Sequence, residues 1–127
     1  MRALLDTSFF VATESGRPLG EMDGVTETEV SVVTIAELTV GVLTASDADR
    51  PARVATLSAV ESTWDPLPVD AEVARQFARI VAALRADGLR IPILDALVAA
   101  TALVEQIPVV TQDQDYDAIP GIEVIRV

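Results

Sequence analysis

The 127-residue sequence predicts an α/β fold with a mostly parallel central sheet flanked by helices. Short β-branched runs alternate with segments of helical period, the pattern of strands joined by crossover helices. Half of the residues are apolar and mean hydropathy is +0.40, which argues against disorder. Only 4% are aromatic, so the core is built from Val, Leu, Ile and Ala. The length suits a single domain, residues 1–127, able to bury roughly two-thirds of its unfolded surface. No repeat, linker or low-complexity stretch divides it.

Arg2 to Leu5 is the first strand, and Thr7 to about Glu14 is a helix ended near Gly16 and Pro18. Val30 to Val33 reads as a second strand, followed by a helix from Ile35 into the 40s. Pro51 opens a helix that runs to about Ser62, a proline at a first-turn position. Asp70 is the N-cap of a helix from Ala71 to Asp87, in which Val73, Phe77, Ile80 and Leu84 recur at helical spacing and Gly88 supplies the C-terminal glycine. A helix from about Asp95 to Glu105, a strand from Val109 to Thr111, an acidic turn and a strand from Glu123 to Arg126 complete the chain.

The residues that are absent restrict the chemistry. Twenty acids against nine bases give a net charge of −11, and every base is arginine. Without Cys there is no disulfide, thiolate nucleophile or thiolate zinc site. Without His there is no Ser-His-Asp triad, and without Lys no P-loop lysine or Schiff base. An enzyme of this composition works through carboxylates and a hard metal ion. The N-terminus lacks the apolar run of a signal peptide, and the longest apolar stretch, Ile91 to Val104, is broken by Pro92, Asp95 and Thr101. A cytoplasmic protein without a membrane segment is therefore expected.

Three acids follow strands or open helices at the edge where a parallel sheet places its ligand crevice, and a fourth, Glu37, can point into it from its helix. Asp6 directly follows the first strand, Asp113 follows Thr111 by two residues, and Asp95 interrupts the most apolar neighbourhood of the chain. Glu37 lies one turn beyond the second strand. Carboxylates brought together repel and raise each other's pKa values, which a cation relieves. All-oxygen donors suit Mg²⁺ or Mn²⁺, ions that support phosphodiester hydrolysis. Each acid also has a purely structural reading. Asp6 and Asp95 can be N-caps, and Thr34-Ile35-Ala36-Glu37 has the form of a capping box. Asx turns account for any single member of Asp113-Gln114-Asp115-Tyr116-Asp117, Asp117 above all. An EF-hand is excluded, because loop positions six and twelve are Ala118 and Val124, and phospho-aspartate sites need a lysine.

Four segments in order, Leu5-Asp6-Thr7-Ser8, Thr34-Ile35-Ala36-Glu37-Leu38-x-x-Gly41, Asp95-Ala96-Leu97-Val98-Ala99-Ala100-Thr101-Ala102 and Val110-Thr111-x-Asp113-x-Asp115-Tyr116, resemble the PIN-domain family, and within it the VapC toxins of bacterial toxin–antitoxin pairs. The resemblance implies a PIN-like three-layer fold. It matches Asp6, Glu37, Asp95 and Asp113 to a catalytic acidic quartet that holds Mg²⁺ or Mn²⁺, with Asp115 as a further metal ligand and Thr7 and Thr111 as supporting residues. It gives Gly41 a role in close packing. Tyr116 stands where phenylalanine is usual, a change expected to leave the site undisturbed. The implied activity is that of an endoribonuclease toxin restrained by a VapB-type antitoxin and commonly dimeric, with Leu38, Val42 and Val60 as possible dimer residues. Arg50, Arg53, Arg75, Arg79, Arg85 or Arg90 would form a local track for RNA phosphates. A PIN-like nuclease acting on DNA and a non-catalytic acidic module that binds a basic protein are the alternatives.

Overall fold

The first strand is central to the sheet. In the computed structural model, which describes residues 1–127, β1 (Arg2–Leu5) pairs in parallel with β2 (Glu27–Glu29) on one side and β3 (Val109–Thr111) on the other. β4 (Val124–Arg126) adds to β3, so the parallel sheet has the order β2-β1-β3-β4. The helices are α1 (Thr7–Ser15), α2 (Val32–Leu43), α3 (Arg50–Thr63), α4 (Ala71–Ala86) and α5 (Ile93–Glu105), with a short 3-10 helix (Gln114–Ala118) between β3 and β4.

Alternation along the strands builds two cores, because successive side chains point to opposite faces. Ala3, Leu5 and Val110 pack with Phe10 of α1, Leu38 of α2 and Val60 of α3. Leu4 and Val109 pack on the other face with Val73, Ile80 and Leu84 of α4 and with the alanines of α5. The sheet is thus the middle of three layers, as expected. Connections from β1 and β3 depart to opposite sides of the sheet, which opens a crevice at their carboxyl ends. No helix is long and apolar enough to cross a membrane.

The α4 boundaries agree with the sequence. Asp70 Oδ1 accepts from Val73 N–H at 3.0 Å, and Gly88 adopts φ +69°, so that Leu89 N–H reaches Leu84 O at 2.8 Å. The second strand does not agree: β2 lies at Glu27–Glu29, earlier than Val30 to Val33. Ser31 ends it, because its hydroxyl accepts from Val33 N–H at 3.0 Å and caps α2, which starts at Val32 rather than Ile35. The β-branched run Val30-Ser31-Val32-Val33 therefore straddles a helix start. Leu38 and Val60 are buried in the core, at 8% and 1% exposure, and are not available as dimer residues.

Candidate active site

Asp6 sits at the centre of a buried hydrogen-bond network and is 3% exposed. Its N–H donates to Val110 O at 2.9 Å, so the residue is held at the junction of β1 and β3. Thr111 Oγ1 donates to Asp6 Oδ2 at 2.9 Å, and Tyr116 O–H donates to Asp6 Oδ1 at 2.9 Å. Asp6 also caps α1, accepting from Ser8 N–H at 3.4 Å. The structural and functional readings of Asp6 thus hold together. With its proton on Asp6, Thr111 Oγ1 accepts from Asp113 N–H at 2.9 Å and from Ser8 Oγ at 3.2 Å.

Glu37 does not complete a capping box. Thr34 lies inside α2, fully buried, and Glu37 Oε1 accepts from Thr7 Oγ1 at 2.8 Å across the α1–α2 contact. Thr34 Oγ1 supports Thr7 Oγ1 at 3.0 Å, so two hydroxyls in series aim at the carboxylate. Burial raises the Glu37 pKa; the Thr7 hydrogen bond opposes this and the charge of Asp6 adds to it.

Asp95 is not an N-cap either. Pro92 holds that position, and Asp95 is the third residue of α5, 9% exposed, close to the acids that follow β1 and β3. Asp95, Asp113 and Asp115 each bring a carboxylate oxygen to within 4.8 Å of the other two. Asp113 is held by an Asx turn, its Oδ1 accepting from Asp115 N–H at 2.9 Å as cap of the 3-10 helix. None of the four ion pairs of the chain involves these acids. The Asp95 pKa is accordingly pushed up to about 7, first by burial and then by the charges of Asp6, Asp113 and Asp115. Burial, reinforced by Asp6, also moves the Tyr116 phenol upward, which keeps its hydroxyl protonated as a donor.

The structure therefore brings Asp95, Asp113 and Asp115 into one cluster, with Asp6 beside it and Glu37 bordering Asp6. Arg126 donates to the Asp113 carbonyl, but none of the three carboxylates is in an ion pair, and three such converging groups fit a hard divalent cation. Asp117 lies in the 3-10 helix rather than in a turn, and it pairs with Arg126.

Three contributors were not assigned roles from the sequence: Ser8, Thr34 and Tyr116. All three stand inside the segments that carried the resemblance, but their partners lie up to 110 residues away in the chain. The expectation that Tyr116 leaves the site undisturbed is overturned, since its hydroxyl binds Asp6 directly. The close packing implied for Gly41 is mild: a Cβ there would meet Arg53 Cδ at 3.8 Å, an ordinary contact. Among the arginines, Arg50 is committed to Ala45 O at 2.6 Å and to Asp47 at 2.7 Å. Arg53 differs, because it lines a cavity of about 240 Å³ together with Thr7, Glu14, Glu37 and Gly41.

A parallel α/β sheet with an acidic cluster at the carboxyl ends of its central strands is a framework suited to metal-assisted hydrolysis. The PIN domain family profile matches residues 3–122. Ribonuclease VapC5 of Mycobacterium tuberculosis is 46% identical, over 98% of this chain and 94% of that protein. Ribonuclease VapC4 of the same organism is 42% identical, over 99% of this chain and 97% of that protein. The crystal structure of VapBC-5, a member of the VapBC family of toxin–antitoxin systems from Mycobacterium tuberculosis, superposes with a TM-score of 0.89 at 42% identity, covering 99% of this chain and 98% of that chain. The chain belongs to the PIN-domain family, among its VapC ribonucleases.

Proposed function

We propose that residues 1–127 act as one metal-dependent endoribonuclease domain, the toxin of a cytoplasmic toxin–antitoxin pair. The observation that carries this reading is the convergence of Asp95, Asp113 and Asp115 within 4.8 Å, beside Asp6 and without a basic partner, in a chain of VapC ribonuclease relatives. Asp6, Asp95, Asp113 and Asp115 would hold Mg²⁺ or Mn²⁺. When bound, such an ion supplies Lewis-acid polarisation of the phosphodiester and an activated water. Asp6, Glu37, Asp95 and Asp113 form the catalytic set. Thr111 fixes the Asp6 carboxylate and Thr7 that of Glu37. Glu37, with its raised proton affinity and its place beside Asp6, is suited to hold or pass a proton at the attacking water.

The partners are RNA, a VapB-type antitoxin and a second copy of the chain. At a net charge of −11 the overall field repels RNA, so local cations must hold the phosphates. Three features support Arg53 in this role: its cavity also contains Glu37, no ion pair engages it, and only one of its donors is spent, on Gly41 O at 2.8 Å.

The test is incubation of the purified chain with total RNA and with single-stranded DNA, with and without Mg²⁺ or Mn²⁺. RNA cleavage that needs the ion and disappears in Asp95→Asn is expected. Cleavage that persists in chelator would refute the metal-dependent reading, and cleavage of DNA alone would move the chain to the DNA-acting alternative.

A further inference from the structure

The two oxygens of Asp6 have unequal settings. Oδ2 accepts from Thr111 Oγ1 at 2.9 Å and from Ser8 N–H at 3.4 Å, which uses both of its lone-pair directions. Oδ1 accepts only from Tyr116 O–H, at 2.9 Å, and keeps one direction open. An aspartate χ2 torsion is broad and does not hold its carboxylate plane unaided. Two hydroxyls on opposite oxygens remove that freedom. The tyrosine donor is itself immobile, because Tyr116 is 0% exposed in the core shared by α4, α5 and β3. A phenylalanine at this position would leave Oδ1 without that donor.

We infer that Tyr116 is a positioning residue that acts through Asp6, its hydroxyl fixing the rotation of the carboxylate and leaving Oδ1 as the oxygen available to a divalent cation. The inference rests on the metal-dependent reading above. Ligands oriented by such outer hydrogen bonds typically lose 10–100-fold in metal affinity when the partner is removed. The ring is not needed for that effect, so the proposal concerns one oxygen atom only.

The test is a calorimetric titration of the full chain and of Tyr116→Phe with Mn²⁺, next to ribonuclease assays across a range of Mn²⁺ concentrations. The variant is expected to keep the parent's circular dichroism, to bind Mn²⁺ about 10–100-fold more weakly, and to regain activity at saturating Mn²⁺. Binding by Tyr116→Phe as tight as the parent's, or tighter, overturns the positioning role. So does an activity loss that saturating Mn²⁺ does not restore, which would tie the hydroxyl to the cleavage step rather than to cation binding. A parent chain that binds no Mn²⁺ refutes the metal-dependent reading and this inference together. Tyr116 is the sole tyrosine, so 3-fluorotyrosine labels it alone and needs no substitution. Its ¹⁹F resonance should shift with the Mg²⁺ binding curve, and a resonance unmoved at saturation overturns the inference even if Tyr116→Phe fails to fold.

Discussion

At Asp95, burial and three neighbouring carboxylates act in the same direction. Its pKa in the folded chain is about 7 against an ordinary 3.8, so the metal-free folded state binds a proton that the unfolded chain has released in this interval. The stabilisation is complete below the unfolded value and is lost as pH rises through 7. In chelator the protein should therefore be more stable at pH 6 than at pH 8, by about 1.4 kcal/mol, and Asp95→Asn should flatten this dependence; thermal melts at the two pH values check it. Cation binding runs the other way and should tighten from pH 6 to pH 8, because the cation displaces the proton. Thr7 provides the second residue-scale prediction. Thr7→Val removes the only hydroxyl on Glu37 and should cost about 1–2 kcal/mol in urea unfolding while lowering RNA cleavage. The acids themselves were legible, since a charged residue inside an apolar run, as at Asp95, is conspicuous. Of their hydroxyl partners, Thr7 and Thr111 were named through the family resemblance, whereas Ser8, Thr34 and Tyr116 were not, because such residues carry no signal until the fold gives them a neighbour.

Among the elements, α2 shows where local patterns compete. Val30, Val32 and Val33 have high strand propensity, but Ser31 caps a helix and its bond to Val33 N–H decides the boundary. The Thr34-to-Glu37 spacing fits a capping box, yet both side chains turn to α1, where Thr7 supplies a better-placed partner. Gly41 lies in the middle of α2, and a methyl group there would make only ordinary contact with Arg53. Gly41→Ala should accordingly raise stability by up to about 1 kcal/mol, measured by thermal or denaturant unfolding. A loss of stability would show that the close packing implied by the family is real in this chain. By contrast α4 was legible almost to the residue, because its cap, its apolar stripe and its terminal glycine agree.

For the whole molecule, net charge and local charge separate. An acidic protein that handles RNA must concentrate its few cations, and Arg53 is the arginine that shares a cavity with Glu37. Arg53→Ala should weaken RNA binding and reduce the slope of log affinity against log salt by about 0.7, as expected for one lost phosphate contact to a single strand. Binding can be followed in the Asp95→Asn background, where cleavage is expected to be absent. An unchanged slope would leave Arg53 as a support of the α2–α3 contact through Gly41 O.

The sequence by itself determined the α/β class and the exclusion of histidine, lysine and thiol chemistry, and it put forward four acids as candidates, since each follows from residue type or from spacing within one element. Only the tertiary structure decided which oxygens are held and by what. Asp6 meets Thr111 and Tyr116 across 105 and 110 residues of chain, and such contacts exist only after β1 and β3 have paired. Local periodicity reports what a segment forms, whereas a buried hydroxyl's partner depends on which segments the sheet places side by side.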